Sequence, residues 1–176
     1  MFVGSAGFGA TMGVAVGKTG RTFAAWELTH PGPPFRGSYG CNSWLFNGFC
    51  EHPRIVWPGP RGLLPVEVDV LSLRGRDRIP LLLDSTRPWG TPFADFEPLL
   101  VPEPGNNPIG FAPFCINRHE AHVNGLFLDW SARRIGLKEL WTLKWYAEFN
   151  TAGPWTKAGG VKPEDWPQWM RRFKDY

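Results

Sequence analysis

The sequence predicts a single α+β domain, residues 1–176, in which an antiparallel sheet carries short helices on one side or end and a long proline-rich loop. Three observations lead there. Residues 63–73 (LLPVEVDVLSL) alternate, with Val66, Val68 and Val70 set against Glu67, Asp69 and Leu71, the period of a half-buried strand. Residues 123–137 form a second alternating run that turns back on itself. Gly and Pro are both abundant, at 21 and 18 residues, which favours turns and short strands over long helices. A length of 176 residues with 43% hydrophobic and 20% charged positions is ordinary for one domain with a sizeable core.

Taken in order, residues 1–17 read as a weakly packed lead-in, with Val14 and Val16 alternating as an edge strand. Residues 21–28 (RTFAAWEL) suit a strand or a single helical turn. The run His30-Pro31-Gly32-Pro33-Pro34 breaks the chain, because proline removes donors and constrains its predecessor. Residues 38–49 suit a compact loop or strand around Tyr39, Trp44 and Phe46. After the strand near 66–73 and a turn at Arg74–Asp77, residues 79–84 are a short apolar run that reads as an interior strand. Seven prolines fall between residues 87 and 113, and irregular loops of that length usually bind, cover or assemble.

The most informative stretch runs from Cys115 to Leu137. Val123, Gly125, Phe127 and Asp129 would point one way from a strand, and Asn124, Leu126, Leu128 and Trp130 the other. Asp129-Trp130-Ser131 is the expected turn, and residues 132–137 the return strand. Leu137, Leu140, Trp141 and Trp145 then recur at helical spacing, predicting a helix over 137–149. The tail, residues 162–176, reads as a terminal helix. Pro163, Glu164 and Asp165 suit its positive end, Arg171, Arg172 and Lys174 its negative end, and Trp166, Trp169, Met170 and Phe173 its apolar stripe.

Composition limits the function classes. A net charge of +3 with dispersed cations argues against a nucleic-acid partner. No apolar run reaches the length of a membrane span, and no export signal is legible. Cys41 and Cys50 could bridge a hairpin in an exported protein or stand as buried thiols, with Cys115 left over. Ten Trp either staple a loop-rich core or form a binding face.

The spacing His119, nine residues, then Asp129 resembles the H-x9-DG signature of prepilin-type processing-associated proteins, relatives of the pseudopilins of type II secretion and type IV pilus systems. Gly37-Ser38-Tyr39-Gly40 with Asn42 and Trp44 is similar to that family's SYG-N-W segment, and residues 79–85 (IPLLLDS) to the strand preceding its His-bearing loop. Together the matches cover roughly residues 37 to 150. Trp130 departs from the pattern, standing where the family has glycine. The family's N-terminal processing motif and long apolar helix are absent from this sequence. The resemblance therefore implies a pilin-like globular head lacking its stalk helix, and with it a chain that is a fragment of a longer protein. It also implies a structural, non-enzymatic subunit at or beyond the cell envelope, with other pilin-like or secretion-system subunits as partners and a membrane link only through the missing helix.

The residues themselves leave other chemistries to weigh. His119 and His122, with Asp129 and Asp84, could hold zinc for a metal-dependent hydrolase, although an H-x2-H pair in a strand faces opposite ways. Calcium has only compositional candidates in Asp84, Asp95 and Glu97. A carbohydrate-binding module would set two or more of Trp44, Trp57, Trp89 and Trp155 exposed and coplanar. No serine elbow or phosphate-cradling loop is present, and Cys115, four residues before His119, lacks an activating context. The reading favoured is structural. His119 orders the approach to the hairpin by bonding Asp84, Asp129 or a backbone carbonyl, and Asp129 caps the turn.

Overall fold

The computed structural model describes residues 2–5, 14–30, 33–45, 74–103, 110–146 and 148–176. The strand expected over 66–73 lies outside them, as do Cys50 and Trp57. Among the described residues the chain is sheet-dominated. β1 (Phe2–Ser5), β2 (Val14–Lys18), β3 (Trp26–His30) and β4 (Phe35–Gly37) form a four-stranded antiparallel sheet in that order. Ser38 alone separates β4 from β5 (Tyr39–Asn42), so the chain passes directly into a second sheet. That sheet adds β6 (Pro80–Asp84), β7 (Trp89–Gly90), β8 (His122–Phe127) and β9 (Ala132–Gly136) in the order β7-β5-β6-β8-β9.

Three expected strands thus fall where their apolar patterns placed them, with ends shifted by a residue or two. Two features differ from the single antiparallel sheet expected. The strands divide between two sheets, and the two-residue β7 runs parallel to β5, pairing Cys41 with Trp89. The lead-in residues 2–5 and 14–17 pair with one another, and β2 lies inside its sheet rather than at its edge.

The helical expectations are corrected more heavily. Over 137–149 only Leu137–Thr142 coils, as a 3-10 helix that starts with the Gly136 amide bonded to the Glu139 carboxylate. Leu143 is already extended, and the Lys144 amide goes to the Arg78 carbonyl. In the tail only Pro163–Asp165 coils. Trp166 precedes Pro167 and takes the extended conformation that a following proline imposes, so a helix over 164–173 is interrupted at its centre.

The core lies beneath the second sheet. Val123 and Phe127 of β8, Leu83 of β6 and Ile135 of β9 are fully buried, as the alternation requires. Against them packs an aromatic cluster: Phe114 stacks on Trp145 at 5.3 Å, Phe111 lies 4.2 Å from Trp141, and Trp141 meets Trp166 edge-on at 5.4 Å. Such pairs add about 0.5–1.5 kcal/mol each beyond their burial. The tail is anchored by Lys138, 1% exposed, whose ammonium lies 2.6 Å from the Asp175 carboxylate.

The tryptophans also hold the proline-rich segment. Prolines supply carbonyls but no N–H groups, so a proline-rich chain laid on a core leaves acceptors in need of donors. Indole N–H groups meet that need, from Trp44 to Pro92, Trp141 to Phe96 and Trp169 to Leu99, each at 2.9 Å. Gly110, at φ +62, lies where a side chain would strike the Phe96 ring, which closes the same segment onto the core.

Candidate functional site

The one dense polar cluster among the bonds described forms where β6 ends beside the start of β8. Asp84 is 2% exposed, and its carboxylate receives three donors. Arg118 Nη1 reaches Oδ1 at 3.1 Å, His119 Nε2 reaches Oδ2 at 3.1 Å, and the Asn124 amide reaches Oδ2 at 2.7 Å. A charge taken out of water needs this degree of satisfaction.

Arg118 extends the cluster into the rest of the molecule. Beyond Asp84, its guanidinium donates to the carbonyls of Thr22, Ser38, Arg21 and Ser85, at 2.6, 2.8, 3.2 and 3.4 Å. Thr22 and Arg21 precede β3 of the first sheet, while Ser85 follows β6 of the second. A rigid fork of five donors suits this role, which a lysine could not fill. Sequence reasoning passed over Arg118; its only signal was position, a lone cation after thirty residues, 88–117, without Lys or Arg.

The turn between Arg118 and β8 is strained. Glu120 and Ala121 both have positive φ, 49° and 68°, which costs of order 1 kcal/mol at each non-glycine residue. The strain is held by the Asn117 carboxamide on the Ala121 amide (2.6 Å), the Ala121 carbonyl on the Leu137 amide (2.9 Å) and the His119–His122 backbone bond (3.2 Å). His122 does not join Asp84. Its Nδ1 lies 2.7 Å from the Glu120 carbonyl and 3.2 Å from Arg134 Nη2; the shorter contact assigns the ring proton to Nδ1.

Asp129 lies at the other end of β8. Its carboxylate accepts the Ser131 hydroxyl (2.6 Å) and amide (3.0 Å), and these bonds hold its pKa below the ordinary carboxylate range. The Phe127 amide bonds the Ser131 carbonyl, and Trp130 crosses the tip at φ +66. The indole at the position where glycine is expected therefore does adopt the left-handed conformation, and its ring stands in solvent, 77% exposed.

His119 and Asp129 thus bound a single strand and do not touch one another. Of the remaining motif residues, Asn42 is fully buried and ties three segments, donating to Pro80 and Trp145 carbonyls at 3.0 and 2.8 Å and accepting the Trp44 amide at 3.2 Å. Trp44 packs between Phe93 and Tyr146. Tyr39 is half exposed on the outer face of the second sheet, at the rim of a shallow groove of about 490 Å³ floored by Leu82 and Leu126 and edged by Arg133 and Arg134.

The other candidates are scattered. Among the described residues no three His, Cys, Asp or Glu side chains gather as a metal site, so His119, His122 and Asp129 stay apart, as do Asp84, Asp95 and Glu97. Trp44, Trp89 and Trp155 are each half-buried, Trp155 against Trp166, while Trp57 lies outside the described residues. Cys41 sits half-buried in β5 and Cys50 is not described, so their pairing falls outside the described residues. Cys115 is a free thiol, fully buried, with its pKa pushed up to about 12 by loss of water. No helix among the described residues is long and apolar enough to cross a membrane.

No family model, no curated protein and no solved structure matches the chain.

Proposed function

We propose that this protein is a non-catalytic structural subunit, the pilin-like head of a pseudopilin-type protein associated with a type II secretion or type IV pilus-like system. The observation that carries the reading is the division of labour between His119 and Asp129. One fixes the base of β8 on a buried carboxylate, and the other closes its tip by bonding Ser131. Both polar ends of the H-x9-D spacing are spent on holding one hairpin. Asn42 and Trp44, two further residues of the resemblance, are likewise occupied with bonds to Pro80, Trp145 and Pro92, while Tyr39 stands half exposed. A constellation whose donors and acceptors already satisfy one another serves fold specificity better than substrate chemistry.

In this reading the partners are other pilin-like chains at the cell envelope, and no cofactor is required. The test is made in the native host. The coding DNA upstream should encode, in frame, a basic leader and about twenty apolar residues. A photo-cross-linker placed at Tyr39 should trap pilin-like subunits in the membrane fraction. A host in which the upstream segment is missing and Tyr39 traps no such subunit would overturn the proposal.

A further inference from the structure

Among the described residues β9 is the last strand of the second sheet, with no strand on its outer side. Which of its backbone groups face outward follows from the bonds of β8. The Asn124 amide turns to Asp84, on the β6 side, so Asn124 and its partner Arg134 exchange no ladder bonds. The Arg134 amide and carbonyl therefore point away from the sheet, and the same parity turns out the amides of Ala132 and Gly136. Gly136 obeys it, its amide bonding the Glu139 carboxylate at 3.1 Å. None of the bonds among the described residues takes the amides of Ala132 and Arg134.

The shallow groove on the outer face opens onto this edge. Leu82, Leu126 and Ala132 are cross-strand neighbours in one row, and the small Ala132 leaves the two leucines open toward the edge. Eight residues line the groove; two are arginines and none is acidic. Arg133 is already met by the Glu139 carboxylate at 2.7 Å. Arg134 is held differently: its Nη2 donates to the His119 carbonyl at 3.1 Å, and no carboxylate pairs with it among the described residues.

An open strand edge, an apolar floor and a guanidinium without a counter-charge ask three things of one ligand: extended backbone, an apolar side chain and a carboxylate. A peptide supplies all three, whereas a sugar acid or a lipid headgroup has no backbone amides to pair. Charged side chains at a sheet edge discourage indiscriminate pairing. Where both are cationic, the strand they admit is an acidic one.

We infer that the β9 edge binds an extended acidic segment of another protein, which adds one more strand to the second sheet. Alternate residues of a strand share a face, so the segment sets a carboxylate opposite Arg134 and a large apolar residue two positions away, opposite Ala132 and reaching over Leu126. The inference goes beyond the subunit reading and needs no part of it.

The probe is a fluorescein-labelled peptide, Ser-Leu-Ser-Glu-Ser-Leu-Ser, titrated with the whole chain and followed by anisotropy. It should bind saturably, and its Glu→Gln counterpart should bind about tenfold more weakly, the scale of a lost charge-assisted bond. A peptide with Leu and Glu adjacent, on opposite faces of a strand, should lose as much. Arg134→Gln should weaken the Glu peptide about tenfold and leave the Gln peptide unchanged. Hydrogen exchange read residue by residue should find the Ala132 and Arg134 amides fast in the free protein and slowed by the peptide, a reading that needs no variant. Absent saturable binding, equal binding of the Glu and Gln peptides, or undiminished binding of the adjacent pair would each overturn the inference. So would edge amides already protected in the free protein, whether by the chain itself or, at rising concentration, by a second copy. Saturable binding of oligogalacturonate in place of the peptide would also overturn it, giving the face to an acidic saccharide. Any of these leaves the cross-linking test of the subunit reading as it stands, because a partner can pack on Tyr39 without adding a strand.

Discussion

His119 Nε2 and Arg118 Nη1 each lie 3.1 Å from an oxygen of the same buried carboxylate, that of Asp84. Adjacent residues of one loop therefore hold both sides of a single acceptor, but they are unequal partners. The Arg118 side chain is 11% exposed and reaches four carbonyls besides; the His119 side chain is 41% exposed.

That inequality sets an order of damage. Asp84→Ala would strand a nearly buried guanidinium and should cost about 3 kcal/mol or more. His119→Ala, with water able to replace the imidazole, should cost about 1 kcal/mol. Urea denaturation of both variants measures the difference. Equal losses would show that the imidazole bears more of the fold than its exposure allows.

Trp130→Gly should stabilise the protein. The indole gains little burial, and glycine accepts φ +66 without the roughly 1 kcal/mol that a side chain incurs there. A thermal melt should show a rise; a fall would mean that the ring packs on its own molecule.

Trp169→Phe keeps an aromatic ring but deletes the donor to the Leu99 carbonyl, bonded at 2.9 Å. The expected loss is about 1 kcal/mol, concentrated in residues 99–103. Limited proteolysis should cut there faster than in wild type, with cutting elsewhere unchanged.

The Cys115 thiol gives a pH signature. Burial raises its folded pKa to about 12. Its contribution to stability is therefore complete below the unfolded value, roughly 8.5, and is lost as pH rises from there toward the folded value. Native protein at pH 8 should leave Cys115 unlabelled by a thiol reagent until urea unfolds it, and stability should decline in the alkaline range. A Cys115→Ala variant, having no thiol to ionise, should show less of that decline.

Legibility in the sequence followed the physics of each element. β8 could be read because one buried face forces a period of two, and Val123, Gly125 and Phe127 obey it, whereas β6 was legible as a short apolar run and β9 as the return strand after the turn. The cap at Asp129 could be read because a carboxylate two residues before an amide is a local motif. The helices failed for different reasons. Pro167 was visible and should have ended the tail helix at Trp166, whereas Leu143 turns extended under tertiary demands that no window reveals, the burial of Trp141 and Trp145 among them. Arg118 was illegible for the same reason, since its partners are remote in sequence.

That remoteness bears on the order in which the molecule assembles. The Arg118 bonds to Thr22 and Arg21 span 96 and 97 positions. Closing loops of that size is entropically late, and contacts of high sequence separation slow folding. During synthesis the first sheet emerges long before the arginine that fastens its corner. Until residue 118 has left the ribosome, β3 and its turn have no keystone, and the join between the sheets should be among the last regions to gain protection from hydrogen exchange.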